Sequence, residues 1–343
     1  MNNYLSDVKK DGTVIIGDKI CCDGFDSDRD IRIQSHIHVD HMNKFNTSKS
    51  NQIILMSHPT KDLLITEQNA DIPFRNNIIS IDYFSPYYID DIIIELAPSD
   101  HMLGSVQTKV TFSDKYRVVY SSDFFWPINL GAFECDELII DATASIKKKI
   151  YLSRTELLNI LLKRIKEKIS EKPIIIQGRR GNIEQTIELI GNEISDIPII
   201  TSTKIHQFLK VFIKYGYDIR NTLIINEQKA INIIKKNQLY IGFFDLYETH
   251  KIPRVNAYKI NLSTHLCYEE PVLDYNENHC KIALTNHADF YGTIKYIKAT
   301  KCKKVIVDSS RGGNAIELTY HIKELLGIEA CPATLYQSKE WGR

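Results

Sequence analysis

Ser35-His36-Ile37-His38-Val39-Asp40-His41 places four groups able to ligate a metal within six residues. The segment Ile31–Ser35 leads into it and reads as a strand. In extended backbone, side chains two residues apart point the same way. His36 and His38 can therefore converge on one ion, while Asp40 and His41, after the chain turns, can face a second. The chain has only 11 histidines in 343 residues, so three in this window is a concentrated signal. The bland alternative is a surface histidine cluster.

Three further segments repeat the arrangement of an apolar run followed by a ligand. They are Ile20-Cys21-Cys22-Asp23-Gly24-Phe25, then Ala97-Pro98-Ser99-Asp100-His101-Met102-Leu103-Gly104-Ser105, then Tyr120-Ser121-Ser122-Asp123-Phe124. Neutral imidazoles such as His36 and His38 suit zinc, and Asp40 and His41 would supply oxygen and nitrogen to a second ion. Two ions ~3.5–4 Å apart can stabilise a phosphoryl transition state.

Around these motifs the first part of the chain reads as short strands rich in Ile, Val and Tyr, separated by Gly, Asp, Asn and Pro. The character changes near residue 145. Arg154–Ile169 has a helical apolar face of Leu157, Leu158, Leu161, Ile165 and Ile169. Its surroundings are basic: residues 146–172 hold nine Lys and Arg, Lys148, Lys149, Lys163, Arg164 and Lys166 among them, against three Glu. Strand–helix alternation follows (Pro173–Gln177, helix at Asn182; Ile199–Thr201, helix near Lys204), which suggests parallel pairing. The tail repeats it, with Lys281–Leu284 and Val305–Asp308 as strands, Asn314 as a helix N-cap and Gly327 as a stop.

Composition limits the function classes. With 43 Lys+Arg against 43 Asp+Glu, the net charge is zero, which disfavours polyanion binding by bulk charge. No apolar run approaches the ~20 residues of a membrane span. The N-terminal MNNYLSDVKKDG has no apolar signal core, so a cytoplasmic protein with no membrane association is expected. Seven cysteines without a C-x-x-C pair read as reduced thiols in packing positions.

The four metal motifs, in this order, resemble the signature of the metallo-β-lactamase fold. The resemblance sharpens towards its β-CASP nuclease branch. Leu138-Ile139-Ile140-Asp141-Ala142-Thr143 resembles motif A, Asn286-His287-Ala288-Asp289 resembles motif B, and Ile176-Gln177-Gly178-Arg179 resembles a turn of the β-CASP cap. The likeness runs from about Asp23 to Asn314. It implies an αββα core over residues 1–145 and 275–343 and an inserted α/β cap over 146–274. It also implies phosphodiester hydrolysis with two divalent ions, Zn²⁺ first and Mn²⁺ or Mg²⁺ possible at the second site. His36, His38, Asp40, His41, His101 and Asp123 would hold them. Asp23 would orient the metal loop, and Asp40, Asp141 and His287 would serve catalysis, with His287 as general acid.

One departure bears on substrate. RNA-processing members carry a motif C histidine, and Asp308 stands in its place here, as an oxygen ligand or as a strand end. Motif A is Asp rather than Glu. Both features resemble the DNA repair exonucleases and the exonucleases found with DNA ligases, so DNA is expected over RNA. An RNA-processing nuclease is the alternative; a small-molecule hydrolase or a non-catalytic scaffold fits the motifs less well. Two turns, with Arg179 and Arg180 and with Ser309, Ser310 and Arg311, precede helices and are candidates for phosphate. A protein partner stays open.

Overall fold

The computed structural model describes residues 6–68, 71–147, 152–264 and 269–334, so Lys148, Lys149, His265 and Cys267 lie outside the described residues. The chain is mixed α/β and divides into two compact units, residues 1–149 with 287–343, and residues 150–286.

The first unit begins with a six-stranded sheet in simple order, β1 (Ser6–Val8), β2 (Val14–Ile16), β3 (Ile20–Cys22), β4 (Ile31–Ile33), β5 (Ile53–Ser57) and β6 (Ile78–Ile81). Helices α1 (Phe45–Asn51) and α2 (His58–Gln68) pack on β5. An antiparallel meander follows, β7 (Tyr87–Ile89), β8 (Ile92–Pro98), β9 (Val106–Thr111) and β10 (Arg117–Tyr120), and β11 (Glu137–Asp141) then pairs in parallel with β10. The chain then forms the second unit and returns.

The second unit is a seven-stranded sheet with helices on both faces. It contains α3 (Arg154–Lys168), β12 (Ile174–Gly178), α4 (Asn182–Glu193), β13 (Ile199–Thr201), α5 (Thr203–Lys214), β14 (Thr222–Ile224) and α6 (Gln228–Lys235). It ends with β15 (Ile241–Asp245), β16 (Tyr258–Ser263), β17 (Val272–Asn276) and β18 (His279–Ala283). The strand order is β14-β13-β15-β12-β16-β18-β17, parallel except for β17. Leu157, Leu161 and Ile165 of α3, with α4 and α5, cover one face; Ala230 and Ile233 of α6 cover the other. The 3.6-residue apolar spacing of α3 thus forms a helix for the expected reason, and Ser153 and Glu156 close its start as a reciprocal cap.

Back in the first unit come α7 (Phe290–Thr300), β19 (Lys304–Asp308), α8 (Ala315–Leu326) and β20 (Glu329–Pro332). They complete a second sheet, β20-β19-β11-β10-β9-β8-β7. Ile16, Ile33 and Leu55 of the first sheet meet Ile94, Val118 and Ile306 of the second in one core. Val119, Leu138 and Val305 on the opposite face meet Tyr296, Leu318 and Ile322 of α7 and α8. The layers run helices, sheet, sheet, helices.

The observed division differs from the expected one at its second boundary. Residues 275–286 were expected in the core. They belong to the inserted unit, because β18 pairs in parallel with β16 from Lys259↔His279 to Ser263↔Ala283. The strands β15 and β16 had no counterpart in the sequence reading. Among the described residues, no helix is long and apolar enough to cross a membrane.

Candidate metal centre

Four strands of the first unit deliver residues of the candidate site. β4 leads to His36 and His38, β8 to His101, β10 to Asp123 and β11 to Asp141. Asp23 lies just beyond β3 with a φ of 53°, and this bend turns its carboxylate inward.

Asp23 is fully buried and saturated. Its Oδ1 accepts from the Ser35 amide at 2.8 Å; its Oδ2 accepts from Ser35 Oγ at 2.6 Å and Tyr120 Oη at 3.1 Å and lies 2.7 Å from His41 Nδ1. A carboxylate in this position fixes the His41 ring and leaves Nε2 facing the centre. Arg32 and Gln34 hold the carbonyl of His41 from below, at 3.0 Å each. The metal loop is thus bound to its strand by buried polar contacts.

The second histidine loop needs a glycine. At Gly104 (φ +84°) a Cβ would lie 2.6 Å from the Thr60 amide nitrogen. Ser105 Oγ accepts from the His101 amide at 3.2 Å, and Ser99 Oγ donates to the Asp123 carbonyl at 2.7 Å. These contacts join the two loops that carry His101 and Asp123.

His36, His38, His101 and Asp123 each offer a ligand atom, and those atoms all lie within 4.8 Å of one another. His101 Nε2 and His38 Nδ1 are 3.0 Å apart. Asp123 Oδ2 lies 3.7 Å from His36 Nε2 and 3.5 Å from His101 Nε2. His36 Nε2 is buried without a hydrogen-bond partner, an arrangement that is costly unless something else fills the place. Ring nitrogens converging on a carboxylate could hold a metal ion, and zinc accepts this donor set.

The charges agree. Burial and the neighbouring His41, His38 and His101 hold the His36 imidazole well below its ordinary pKa, in the neutral form that binds a metal. Burial would raise the Asp123 carboxyl, but His41, His287 and His101 keep it well below the usual range. Burial and the Arg311 guanidinium oppose charge on His41, yet Asp123 and Asp23 raise it to about 10. The site favours positive charge there.

Asp123, Asp141 and His287 form a second convergent group. His287 Nε2 is 4.0 Å from Asp123 Oδ2, and its ring lies 4.5 Å from that of His101. Asp141 accepts from Thr143 Oγ1 at 3.0 Å; burial and the charges of Asp123 and Asp308 push its carboxyl up to about 8. Asp40 is more peripheral. Its Oδ2 comes to 4.0 Å from His41 Nε2, and His41 Nε2 lies 3.4 Å from Asp123 Oδ1.

Asp308 is not brought into either group. It is buried, with Oδ2 3.1 Å from Arg311 Nη1 and Oδ1 accepting from the Ser310 amide at 2.7 Å. Arg311 is likewise committed: it donates to the carbonyls of Gly12 at 2.7 Å and Asp40 at 3.1 Å, and its side chain is 6% exposed. The expectation that Arg311 faces phosphate is therefore corrected, because its donors face inward. The glycines of its turn serve packing. A Cβ at Gly313 would lie 1.8 Å from the Ala142 carbonyl oxygen. The sequence carried no sign of the Arg311 contacts, whose partners lie at the other end of the chain.

In the second unit, Arg179 is exposed and remains available. Arg180 lies over the Phe208 ring at 4.7 Å and 3.8 Å from Asp245 Oδ2. The amide of Gly181 at this helix start already donates to Glu184 Oε2 at 2.7 Å, so the turn is closed by its own carboxylate. On α3, Arg164 pairs with Asp274 at 2.9 Å and bonds Tyr258 Oη, Lys166 pairs with Glu193 at 3.6 Å, and Lys163 is exposed.

No protein-family model matches the chain. An uncharacterised protein from Acidianus ambivalens, named for the lig 3′ region, is 27% identical over 142 residues, which is 40% of this chain and 99% of that protein. A crystal structure of a protein of unknown function from Enterococcus faecalis V583 superposes with a TM-score of 0.64 at 14% identity, over 91% of this chain and 81% of the other. That likeness concerns the fold alone.

Proposed function

We propose that the chain is a metal-dependent nuclease of the metallo-β-lactamase fold, in its β-CASP branch, acting on DNA in preference to RNA. The observation that carries this reading is the meeting of His36, His38, His101 and Asp123 in one cluster, with Asp141 and His287 at its side. Four layers with an inserted α/β unit accord with the architecture that the resemblance implies. The name of the archaeal relative, which places it in a lig 3′ region, accords with the likeness to ligase-associated exonucleases.

His36 Nε2, His38 Nδ1 and His101 Nε2 are the nitrogens that would hold Zn²⁺, with Asp123 shared towards a second ion beside His41 and Asp40. Bound there, divalent ions would supply Lewis acidity to a phosphoryl oxygen and lower the pKa of water. Asp40 contributes an oxygen-rich side to the second position, which suits Mn²⁺ or Mg²⁺ as well as Zn²⁺. The protein's own part is orientation and proton handling. Asp23 keeps His41 in one tautomer. Asp141, with its raised pKa, holds a proton near neutrality next to Asp123. His287 stands at the edge of the cluster, partly exposed, where an imidazole can protonate a leaving oxygen. The engagement of Asp308 by Arg311 supports the DNA reading, since it leaves no ligand at the motif C position.

The test is cleavage of matched single-stranded DNA and RNA oligonucleotides, with 5′-phosphate or 5′-hydroxyl ends, in Zn²⁺ and in Mn²⁺, with His38→Ala as the blank. DNA degraded ahead of RNA is the expected result. RNA degraded ahead of DNA would make the chain an RNA-processing nuclease. Two bound ions and no cleavage of either would remove the nuclease assignment.

A further inference from the structure

Cys135 and Cys302 are 167 residues apart in sequence and meet at the start of two neighbouring strands. β11 and β19 are parallel, with Glu137 opposite Lys304. Each cysteine lies two residues before its member of that pair. The backbone pairing continues back to them: the Cys135 amide donates to the Thr300 carbonyl at 2.9 Å, and the Lys303 amide to the Asp136 carbonyl at 2.9 Å. Side chains two residues upstream on paired strands share a face. Here both lie in the core formed with α7 and α8, with their thiols next to each other. Neighbouring strands lie ~4.7–4.9 Å apart, inside the ~4.4–6.8 Å span of Cα separations that a disulfide accepts.

The pair is shielded by a single layer. Cys135 is 2% and Cys302 5% exposed, but their chain neighbours Glu134, Lys301 and Lys303 are surface residues, and Glu134 and Lys301 are ion-paired there. The two thiols are unequal. The hydrogen bond from Cys135 lowers Cys302 to about 7, while the same bond and burial push Cys135 up. One thiol is ready to react and its neighbour stands in place to resolve it, as in redox-sensing pairs.

We propose that Cys135 and Cys302 are a redox-active dithiol, the site at which peroxide converts this chain to a form with an internal disulfide. The Cys302 thiolate attacks one peroxide oxygen; an S–O bond forms, the O–O bond breaks, and hydroxide leaves to become water. Cys302, oxidised by two electrons, is then a sulfenic acid. The Cys135 sulfur gives up its proton and attacks Cys302 Sγ; an S–S bond forms, the S–O bond breaks, and hydroxide leaves with that proton as a second water. The disulfide would clip the lower ends of β11 and β19, the strands whose upper ends carry Asp141 and Asp308. This site shares no residue with the metal cluster, so its failure leaves the nuclease reading untouched.

The experiment exposes the folded, full-length protein to hydrogen peroxide, then unfolds it in an alkylating reagent and maps the peptides. Loss of two of the seven thiols, a peptide joining Cys135 to Cys302, and full recovery with dithiothreitol are expected. Seven alkylatable thiols, a link between other cysteines, or equally fast linkage in the denatured chain would overturn the proposal. In Cys135→Ser, shown to be folded by circular dichroism, Cys302 should be captured as a sulfenic acid by dimedone. Absence of that adduct would return both cysteines to packing.

Discussion

Asp123 and Asp308 stand at the same edge of one sheet, Asp123 just past the C-terminal end of β10 and Asp308 as the last residue of β19, with Asp141 on the strand between them. Both are buried, and their settings are opposite. Asp308 has a guanidinium and a backbone amide to accept from, both within hydrogen-bond distance. Asp123 is ringed by imidazoles at 3.4–4.0 Å, too far for short hydrogen bonds and well placed to share an ion. Buried polar atoms are normally satisfied within the protein. The β10 side departs from that rule and the β19 side obeys it. Buried ring nitrogens without partners, those of His36 and His41, thus mark the candidate metal side where residue type and strand position do not.

If this contrast is right, the largest effect comes from the β10 side. His36→Ala or His38→Ala should remove the first ion, as read by metal analysis. It should also reduce hydrolysis by more than the ~10–100-fold cost of losing a supporting contact. Retained metal stoichiometry would break the comparison. On the β19 side the expected effect is on stability. Arg311→Met leaves Asp308 buried and unpaired, which should cost about 3–5 kcal/mol in denaturant unfolding. Arg311→Met combined with Asp308→Leu should recover much of that. If Asp308→Asn alone lowers second-ion occupancy, the carboxylate is a ligand after all.

Asp23→Asn tests the support beneath the β10 side. Loss of the charged acceptor for His41 should weaken metal affinity ~10–100-fold, measured by chelator competition. The last test is of pH dependence and concerns Asp141. Its carboxyl is raised from 3.8 to about 8, so the metal-free native state keeps a proton that the unfolded chain has released. Stability should therefore fall as pH rises from about 4 to 8. Asp141→Asn should flatten that slope, and an unchanged slope would assign the pH dependence to other groups.

The residues of the candidate metal group were legible in the sequence because His36 and His38 lie in one histidine-rich window of six residues and His101 and Asp123 each follow an apolar strand. His101 and Asp123 needed only the order of strands to be found. The Arg311 contacts were not legible. Its partners Asp40 and Gly12 are 271 and 299 residues away, and no local pattern encodes such a pairing. A turn of Ser, Arg and Gly ahead of a helix reads as a phosphate loop in sequence. Only the approach of Gly313 to Ala142 shows why small residues are required. The boundary at residue 286 was misplaced for a similar reason. Val272–Asn276 mixes Val, Leu and Tyr with Asp and Asn and is mostly exposed, so the hairpin that extends the inserted sheet has no clear apolar face.

The insertion point has a kinetic consequence. β11 and β19 are adjacent, yet Glu137 and Lys304 are 167 residues apart. Closing that loop from a disordered chain is entropically costly, and long-range pairing slows folding. Within the inserted unit, Arg154 Nη1 donates to the Thr285 carbonyl at 3.1 Å, which fastens its first helix to its last residues. Once that unit has collapsed, the long loop behaves as a short tether, and β19 is delivered to β11 by a neighbour that is already folded. Asp141 and its neighbour Asp308 would then fall into register late, after the β3–β4 pairing that sets Asp23 against the histidine loop has formed.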